Sequence, residues 1–292
     1  MRDAVSRRTF LARMTAAGLG TAAAALIAGC GGSSSNGSGT TPGGGLTAFA
    51  DTTNFPGIPG TSENVVVLNY ALTLEILESD LYRQALNIAS GKPVATPLSA
   101  NPATDSSYSL AVSPGGLSTG PGGDATIGFL YLKQYAGVEA AHRDFLRAAI
   151  TAAGATPVPA NPNGYTTGLA VGADLKTILT LIRTVEETGV RAYEGAAPFL
   201  TSLALVQTAV SIYSTEARHS AGMNYILSTK ANRAQDIGPS SVYGGKQPAP
   251  TAAFIAGYTY TNIDGTPASK DNIFDYYLAP TDVLAAVKPF FL

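Results

Sequence analysis

The chain of 292 residues has little charge, two histidines, one cysteine and no tryptophan. Because Cys30 is the only thiol, an intramolecular disulfide, a cysteine-ligated cluster and cysteine-based catalysis are excluded. Charged residues make up 13% of the chain and the formal net charge is −2, so no basic surface for nucleic acid is expected. The 45% of hydrophobic residues can build a core, while 32 Gly and 18 Pro predict long irregular connections.

Each of the two histidines follows a glutamate by three residues, as Glu139 with His142 and Glu216 with His219. Three residues make just under one helical turn, so each carboxylate projects from the same helix face as its imidazole. One such pair is more often a solvent-exposed helix pair. Two pairs supply half of the ligands of a dinuclear carboxylate metal site in a four-helix bundle.

Apolar periodicity and helix-end signals predict an all-α fold with four long helices. The predicted helices cover residues 62–90, 124–153, 173–197 and 201–229. Thr61 or Ser62 is expected to cap the first helix and Asp124 the second. A short break at Pro198 makes the last two antiparallel neighbours, whereas the Pro- and Gly-rich segment before the third can cross the length of a bundle.

All four helices place a glutamate in the middle of an otherwise apolar seam: Glu75, Glu139, Glu186 and Glu216. An ionised carboxylate without a partner costs several kcal/mol in such a place, so four at one depth require a cation. The first and third helices also share a Glu-x6-Tyr spacing, which ends at Tyr82 and Tyr193, so the bundle is an internal pseudo-repeat.

Four carboxylates with His142 and His219 give each of two metals one imidazole and a share of two bridging carboxylates. Hard oxygen donors with one imidazole per metal favour Fe, or alternatively Mn, over Zn or Cu. Glu78 lies one turn from Glu75 and could replace it as the ligand or act beside it. Glu187 is offset by about 100° from Glu186 and is expected to be solvated. Tyr82 and Tyr193 are either core aromatics or hydrogen-bond donors to ligand carboxylates.

Residues 69–78, 185–193 and 216–219 are similar to the ferritin-like superfamily, in particular the bacterial ferritin-like domain family that includes plant desiccation-related proteins. This resemblance implies an antiparallel four-helix bundle over residues 62–230, with long loops and an irregular C-terminal extension. By the family motif, the metal ligands map onto Glu75, Glu139, His142, Glu186, Glu216 and His219. Tyr82 and Tyr193 map near them, as the candidate catalytic side chains.

The N-terminal 29 residues resemble a twin-arginine (Tat) export signal, with paired Arg7 and Arg8 before an apolar, Ala-rich run that is too short to span a membrane. Residues 26–30 look like a lipobox that ends at Cys30, which predicts lipidation of this cysteine and a membrane-anchored protein facing the periplasm or the exterior. The alternative is an ordinary signal peptide with a stray cysteine. Residues 30–61 are expected to form a flexible tether.

Residues 231–292 show no comparable chemistry and are expected to wrap the bundle, with Tyr243, Phe254, Tyr258 and Tyr260 packed against it. A short last helix is predicted after a cap at Thr281 or Asp282.

Three functions are compatible with these residues. They are an oxidoreductase that acts on O2, H2O2 or Fe(II) with an unknown electron donor, a manganese catalase-like enzyme, and a non-catalytic envelope or stress protein that keeps the metal for stability. The sequence leaves the oligomeric state open, with a homodimer as one form. Partners therefore comprise a small-molecule oxidant and, through Cys30, a membrane.

Overall fold

The computed structural model describes residues 53–228 and 276–292. Within these two ranges the chain is all-α and contains no strand, as predicted. Its helices are α1 (Glu63–Ala89), α2 (Asp124–Ala152), α3 (Leu175–Ala196), α4 (Leu203–Leu227) and a short α5 (Pro280–Val287). No helix in the described part of the chain is long and apolar enough to cross a membrane. The export signal, Cys30 and the aromatic residues 243–260 lie outside the described residues.

The helix starts follow local hydrogen bonding. Ser62 caps α1 by accepting a hydrogen bond from the Val65 amide, as expected. The predicted cap at Asp124 is wrong, because Ser118 accepts from the Asp124 amide and its hydroxyl donates to the Asp124 carboxylate. Gly123 is therefore the N-cap residue of α2.

The start of the last helix also differs from the expectation of a cap at Thr281 or Asp282. Helix α5 begins at Pro280, with Ala279 as its N-cap residue. Proline suits the first helical position because its ring sets φ near the helical value and its missing N–H would have no partner there.

The bundle consists of two helix pairs, α1 with α2 and α3 with α4. One apolar cluster joins the N-terminal half of α1 to the C-terminal half of α2, and likewise the C-terminal half of α3 to the N-terminal half of α4. A second cluster joins the opposite halves. Each pair is therefore antiparallel, and the connection from α2 to α3 runs the length of the bundle, as ferritin-like folds require.

This long connection lies along α1, where two buried side-chain amides bind its backbone. Asn69 accepts from the Val158 amide at 2.8 Å and donates to the Thr156 carbonyl. Gln84 donates to the Tyr165 carbonyl at 2.8 Å. These amides satisfy backbone groups that would otherwise be buried without partners, so α1 is covered on the side that faces away from the other helices.

The described part of the C-terminal extension packs on α3. The Leu278 amide donates to the Arg191 carbonyl, and a Cβ at Gly195 would lie only 1.8 Å from the Leu278 carbonyl oxygen. Phe291 pairs with Tyr165 through a backbone bridge and an edge-to-face ring contact. Gly195 is therefore the residue that lets the extension approach α3 this closely.

Candidate metal centre

The six predicted ligands converge between the two apolar clusters. Glu139, Glu186 and Glu216 are completely buried and Glu75 is 1% exposed. Each of the four long helices contributes at least one ligand. The Glu-x-x-His pairs on α2 and α4 bring the two imidazoles to the same level. The arrangement follows from the sequence, because one polar layer interrupts each apolar seam at its middle.

One group of ligand atoms surrounds His142. Its Nδ1 lies 2.9 Å from Glu139 Oε2, 3.2 Å from Glu216 Oε1 and 3.6 Å from Glu75 Oε2. Ligand atoms from these four residues all lie within 4.8 Å of one another. One imidazole and three carboxylates therefore form the first possible metal position.

A second group surrounds His219. Its Nδ1 lies 2.8 Å from Glu139 Oε1 and 3.3 Å from Glu186 Oε1. Glu139 thus directs one oxygen towards each histidine, which is the arrangement of a carboxylate that bridges two metals. The His219 ring stacks on Tyr135 with the ring centroids 3.7 Å apart, and a Cβ at Gly222 would lie 2.6 Å from the Tyr135 hydroxyl. Gly222 therefore makes room for the side chain that holds this imidazole.

Glu78, which the sequence leaves open as an alternative to Glu75, lies beside it in the cluster. Glu78 is 4% exposed and forms a third group of carboxylates with Glu186 and Glu216. Glu75 belongs instead to the group around His142. The two glutamates of α1 therefore face different parts of the cluster.

The hydroxyls of Tyr82 and Tyr193 both donate to carboxylates of the cluster. Tyr193 donates to Glu75 Oε1 at 2.6 Å, and Tyr82 donates to Glu186 Oε1. Each tyrosine therefore binds the glutamate of the other half of the pseudo-repeat. Between the two readings left open above, the structure favours hydrogen-bond donors to carboxylates, which are at the same time buried in the core.

Several atoms of the cluster lie close together without forming hydrogen bonds. His219 Nδ1, Glu139 Oε1, Glu186 Oε2 and both oxygens of Glu216 have no hydrogen-bond partner among the described residues. The contact of 2.8 Å between His219 and Glu139 thus lacks hydrogen-bond geometry. Buried polar atoms are nearly always satisfied. Atoms that converge without bonding one another fit a set of ligands around a cation, so these residues suit a metal.

The electrostatics of the cluster agree with this interpretation. Burial raises the pKa of Glu75, and burial with neighbouring carboxylates raises the pKa of Glu78, Glu186 and Glu216 well above the ordinary value of a glutamate. Without metal, burial and like charges therefore favour the protonated forms of these side chains. Burial would also raise the pKa of Glu139, but His142 and His219 lower it to about 2.

His142 shows the complementary shift. Burial would lower the pKa of its imidazole, but contacts with Glu139, Glu216 and Glu75 raise it well above its ordinary value. A bound metal would replace the protons that these residues share, because ligation requires ionised carboxylates and a neutral imidazole.

The expectation that Glu187 is solvated is wrong. Its side chain is 6% exposed, accepts a hydrogen bond from Ser220 at 2.7 Å and pairs with Arg191 at 3.3 Å. The Glu187–Arg191 spacing of four residues on α3 was a readable sign of this pair. Glu187 belongs to none of the possible metal-binding groups found in the described residues.

An apolar cavity of about 30 Å³ lies at the end of the bundle beyond Glu75. Tyr193, Leu74, Leu146 and Ile212 are among its lining residues. Because the hydroxyl of Tyr193 donates to Glu75, one side chain connects this cavity with the carboxylate cluster. The cavity has room for one or two molecules of the size of water.

Comparison of the sequence with known protein families agrees with the observed fold. The sequence model of the ferritin-like domain family matches residues 63–229, which span α1 to α4 and include every residue of the cluster. A search of curated proteins finds no significant match. The matched region covers more than half of the chain and carries the antiparallel bundle with its buried carboxylates and imidazoles. The chain belongs to the ferritin-like domain family.

Proposed function

We propose that this protein is an exported dimetal-carboxylate oxidoreductase that acts on O2, peroxide or Fe(II), with two Fe ions, or alternatively Mn, as its cofactor. The observation that carries the proposal is the convergence of four buried glutamates and two histidines from four helices, several of whose facing atoms have no hydrogen-bond partner among the described residues. Glu75, Glu139, His142 and Glu216 would hold one metal, and Glu139, Glu186, His219 and a share of Glu216 the other. Carboxylate donors stabilise the higher oxidation state of Fe or Mn, and the bound pair would supply electrons to an oxidant.

The protein residues would set the conditions for this chemistry. Tyr193 and Tyr82 hold Glu75 and Glu186 in place by donating hydrogen bonds, which leaves the other oxygen of each carboxylate free to bind metal. Burial raises the pKa of both phenols well above the ordinary value, so they remain protonated donors. The two apolar clusters on either side exclude bulk water from the carboxylates.

Among the three candidate substrates, O2 is supported by the apolar cavity beside Tyr193. Most of its lining side chains are apolar, so it favours an apolar diatomic over a metal ion or a peroxide. A manganese catalase-like activity is the alternative within the same site. A non-catalytic, desiccation-related role is the alternative that needs the metal only for stability.

The first test of the proposal is metal content. The full chain is first freed of metal and then reconstituted anaerobically with Fe(II) or Mn(II). It is expected to bind two ions, one for each imidazole, as measured by elemental analysis. Binding should release protons, because the carboxylates with raised pKa must ionise. Less than about one ion per chain would contradict the dimetal assignment.

The proposal includes export by the Tat route and anchoring by lipid on Cys30, with a homodimer and a separate electron donor as further expectations. The paired Arg7 and Arg8 and the small residues before Cys30 support it.

Cys30→Ser is expected to move the protein from the membrane fraction to the soluble extracytoplasmic fraction, since one lipid-modified residue provides the anchor. Replacing both arginines by lysine should leave the protein in the cytoplasm. A Cys30→Ser protein that stays with membranes after a salt wash would contradict lipid anchoring.

A further inference from the structure

Glu78 is a fifth buried carboxylate that a site for two metals does not require. It belongs to neither of the groups that contain a histidine, and its Oε1 has no hydrogen-bond partner among the described residues. Glu186 Oε2 and both oxygens of Glu216 are likewise without partners. Ligand atoms from these three glutamates lie within 4.8 Å of one another, so three carboxylates, each with at least one oxygen that lacks a partner among the described residues, meet in one place.

The pseudo-repeat of the bundle is broken at this place. Three residues after its shared glutamate, α1 carries Glu78, whereas α3 carries Gly189. A Cβ at position 189 would lie 2.8 Å from Glu216 Oε2 and 3.5 Å from Glu78 Oε2. The glycine therefore leaves open the space towards which two of the three carboxylates point, and α1 supplies the extra acid there.

A separate small pocket of about 20 Å³ reaches the same place from the side of the bundle. Glu78 and Gly189 line it together with Thr184 and Thr188 of α3. Ala286 and Phe290, from α5 and the turn after it, also line it. The pocket has room for a water-sized guest. It therefore connects the third group of carboxylates with the C-terminal segment.

We propose that Glu78, Glu186 and Glu216 form a third cation position, which takes up a divalent metal ion from this pocket and passes it to the two positions that contain His142 and His219. The inference rests on the proposed dimetal function. The third position has only oxygen donors, which suit Fe(II) or Mn(II). Five ionised carboxylates carry one more negative charge than two divalent ions neutralise, so a third cation is electrostatically favourable. Since this position shares two ligands and has no imidazole, it binds more weakly than the others.

The test is an anaerobic titration of the metal-free full chain with Mn²⁺, in which free Mn²⁺ is followed by electron paramagnetic resonance. The wild type is expected to bind one weak ion in addition to the two tight ones. Glu78→Gln, which keeps the shape of the side chain, should lose the weak ion and keep the tight ones, but take these up at least tenfold more slowly. Gly189→Ala should also lose the weak ion, because its methyl group enters the space of Glu216.

Glu187→Gln is the matched control, since it neutralises a neighbouring buried glutamate outside the three groups and should retain the weak ion. Ala286→Phe, which adds a bulky side chain to the lining of the pocket, should slow uptake without changing the number of ions bound. A wild type that binds only two ions, or a Glu78→Gln protein that keeps the weak one, would overturn the third position. Unchanged uptake in Ala286→Phe would overturn the route. A wild type that binds no Mn²⁺ or Fe²⁺ would instead refute the dimetal function itself.

Discussion

His219→Ala is expected to remove one metal ion per chain and to reduce oxidation of Fe(II) or decay of peroxide to the background rate. The reason is that His219 is the nitrogen ligand that the described residues bring to the group formed with Glu139 and Glu186. Loss of the ring also removes the stacking contact with Tyr135. The measurement combines elemental analysis, turnover and thermal unfolding of the reconstituted protein, with and without chelator.

Met223→Ala is the control for packing, because Met223 is a completely buried apolar residue one turn along the same helix. It should lower the free energy of unfolding by about 2–5 kcal/mol, as large-to-small core substitutions do, but retain both ions and the activity. Chelation should destabilise the wild type far more than His219→Ala. If chelation leaves the wild type unchanged and His219→Ala costs only about 1–2 kcal/mol, His219 is a satisfied core histidine. The non-catalytic function would then be favoured.

Removing the metal is expected to make the stability of the protein strongly dependent on pH. In the metal-free fold the pKa of Glu78, Glu186 and Glu216 is raised by burial and by like charges. The folded chain therefore holds protons that the unfolded chain releases above the ordinary glutamate pKa. Stability consequently falls as pH rises from that value through the raised values. The raised pKa of His142 acts in the same direction.

Each of these groups that stays protonated in the fold but not in the unfolded chain costs about 1.4 kcal/mol per pH unit. For a domain of this size, that corresponds to a fall of about 3–6 °C in Tm per pH unit and group. Thermal unfolding of the full chain at about pH 5 to 8 would measure it. The metal-loaded protein should show little of this fall, because the ions keep the carboxylates deprotonated. Parallel pH profiles with and without metal would contradict the model of a carboxylate cluster held by cations.

The lowered pKa of Glu139 predicts the opposite trend at acid pH. Its stabilising contacts with the two imidazoles are present above the ordinary glutamate pKa and are lost as pH falls towards about 2. The metal-free protein is therefore expected to be most stable in mildly acidic solution, between these two regimes. Glu139→Gln should remove the acid-side loss and leave the fall at higher pH in place.

Local patterns were sufficient to predict the helices and the identity of the clustered residues. Apolar periodicity placed four long helices within a few residues of their observed ends, and the Glu-x-x-His spacing placed each imidazole beside its carboxylate. The errors at the helix starts have local causes as well. The Asp124 amide donates to Ser118, so that Gly123 is the N-cap residue, and Pro280 begins the last helix before the predicted cap.

Residues outside the predicted seams required the tertiary structure. Glu187 is buried because Ser220 of α4 and Arg191 bind it, and helical offset alone could not show that this side of α3 is covered. The space that Gly189 leaves for the Glu216 carboxylate is defined by a side chain from another helix. The same holds for the space that Gly222 leaves for the Tyr135 hydroxyl. Such contacts join residues far apart in the chain, so no local pattern encodes them.

The fold class, the four helices, and the set of glutamates and histidines at their middle could be predicted from the sequence, because helical periodicity and apolar seams are properties of short segments. The division of these side chains, with Glu139 between both histidines and Glu78 beside Glu186 and Glu216, could be seen only in the folded chain. Each of these contacts joins atoms from different helices at distances of a few ångströms. Their positions depend on how the helices pack against one another and on the connection and C-terminal segment that cover α1 and α3.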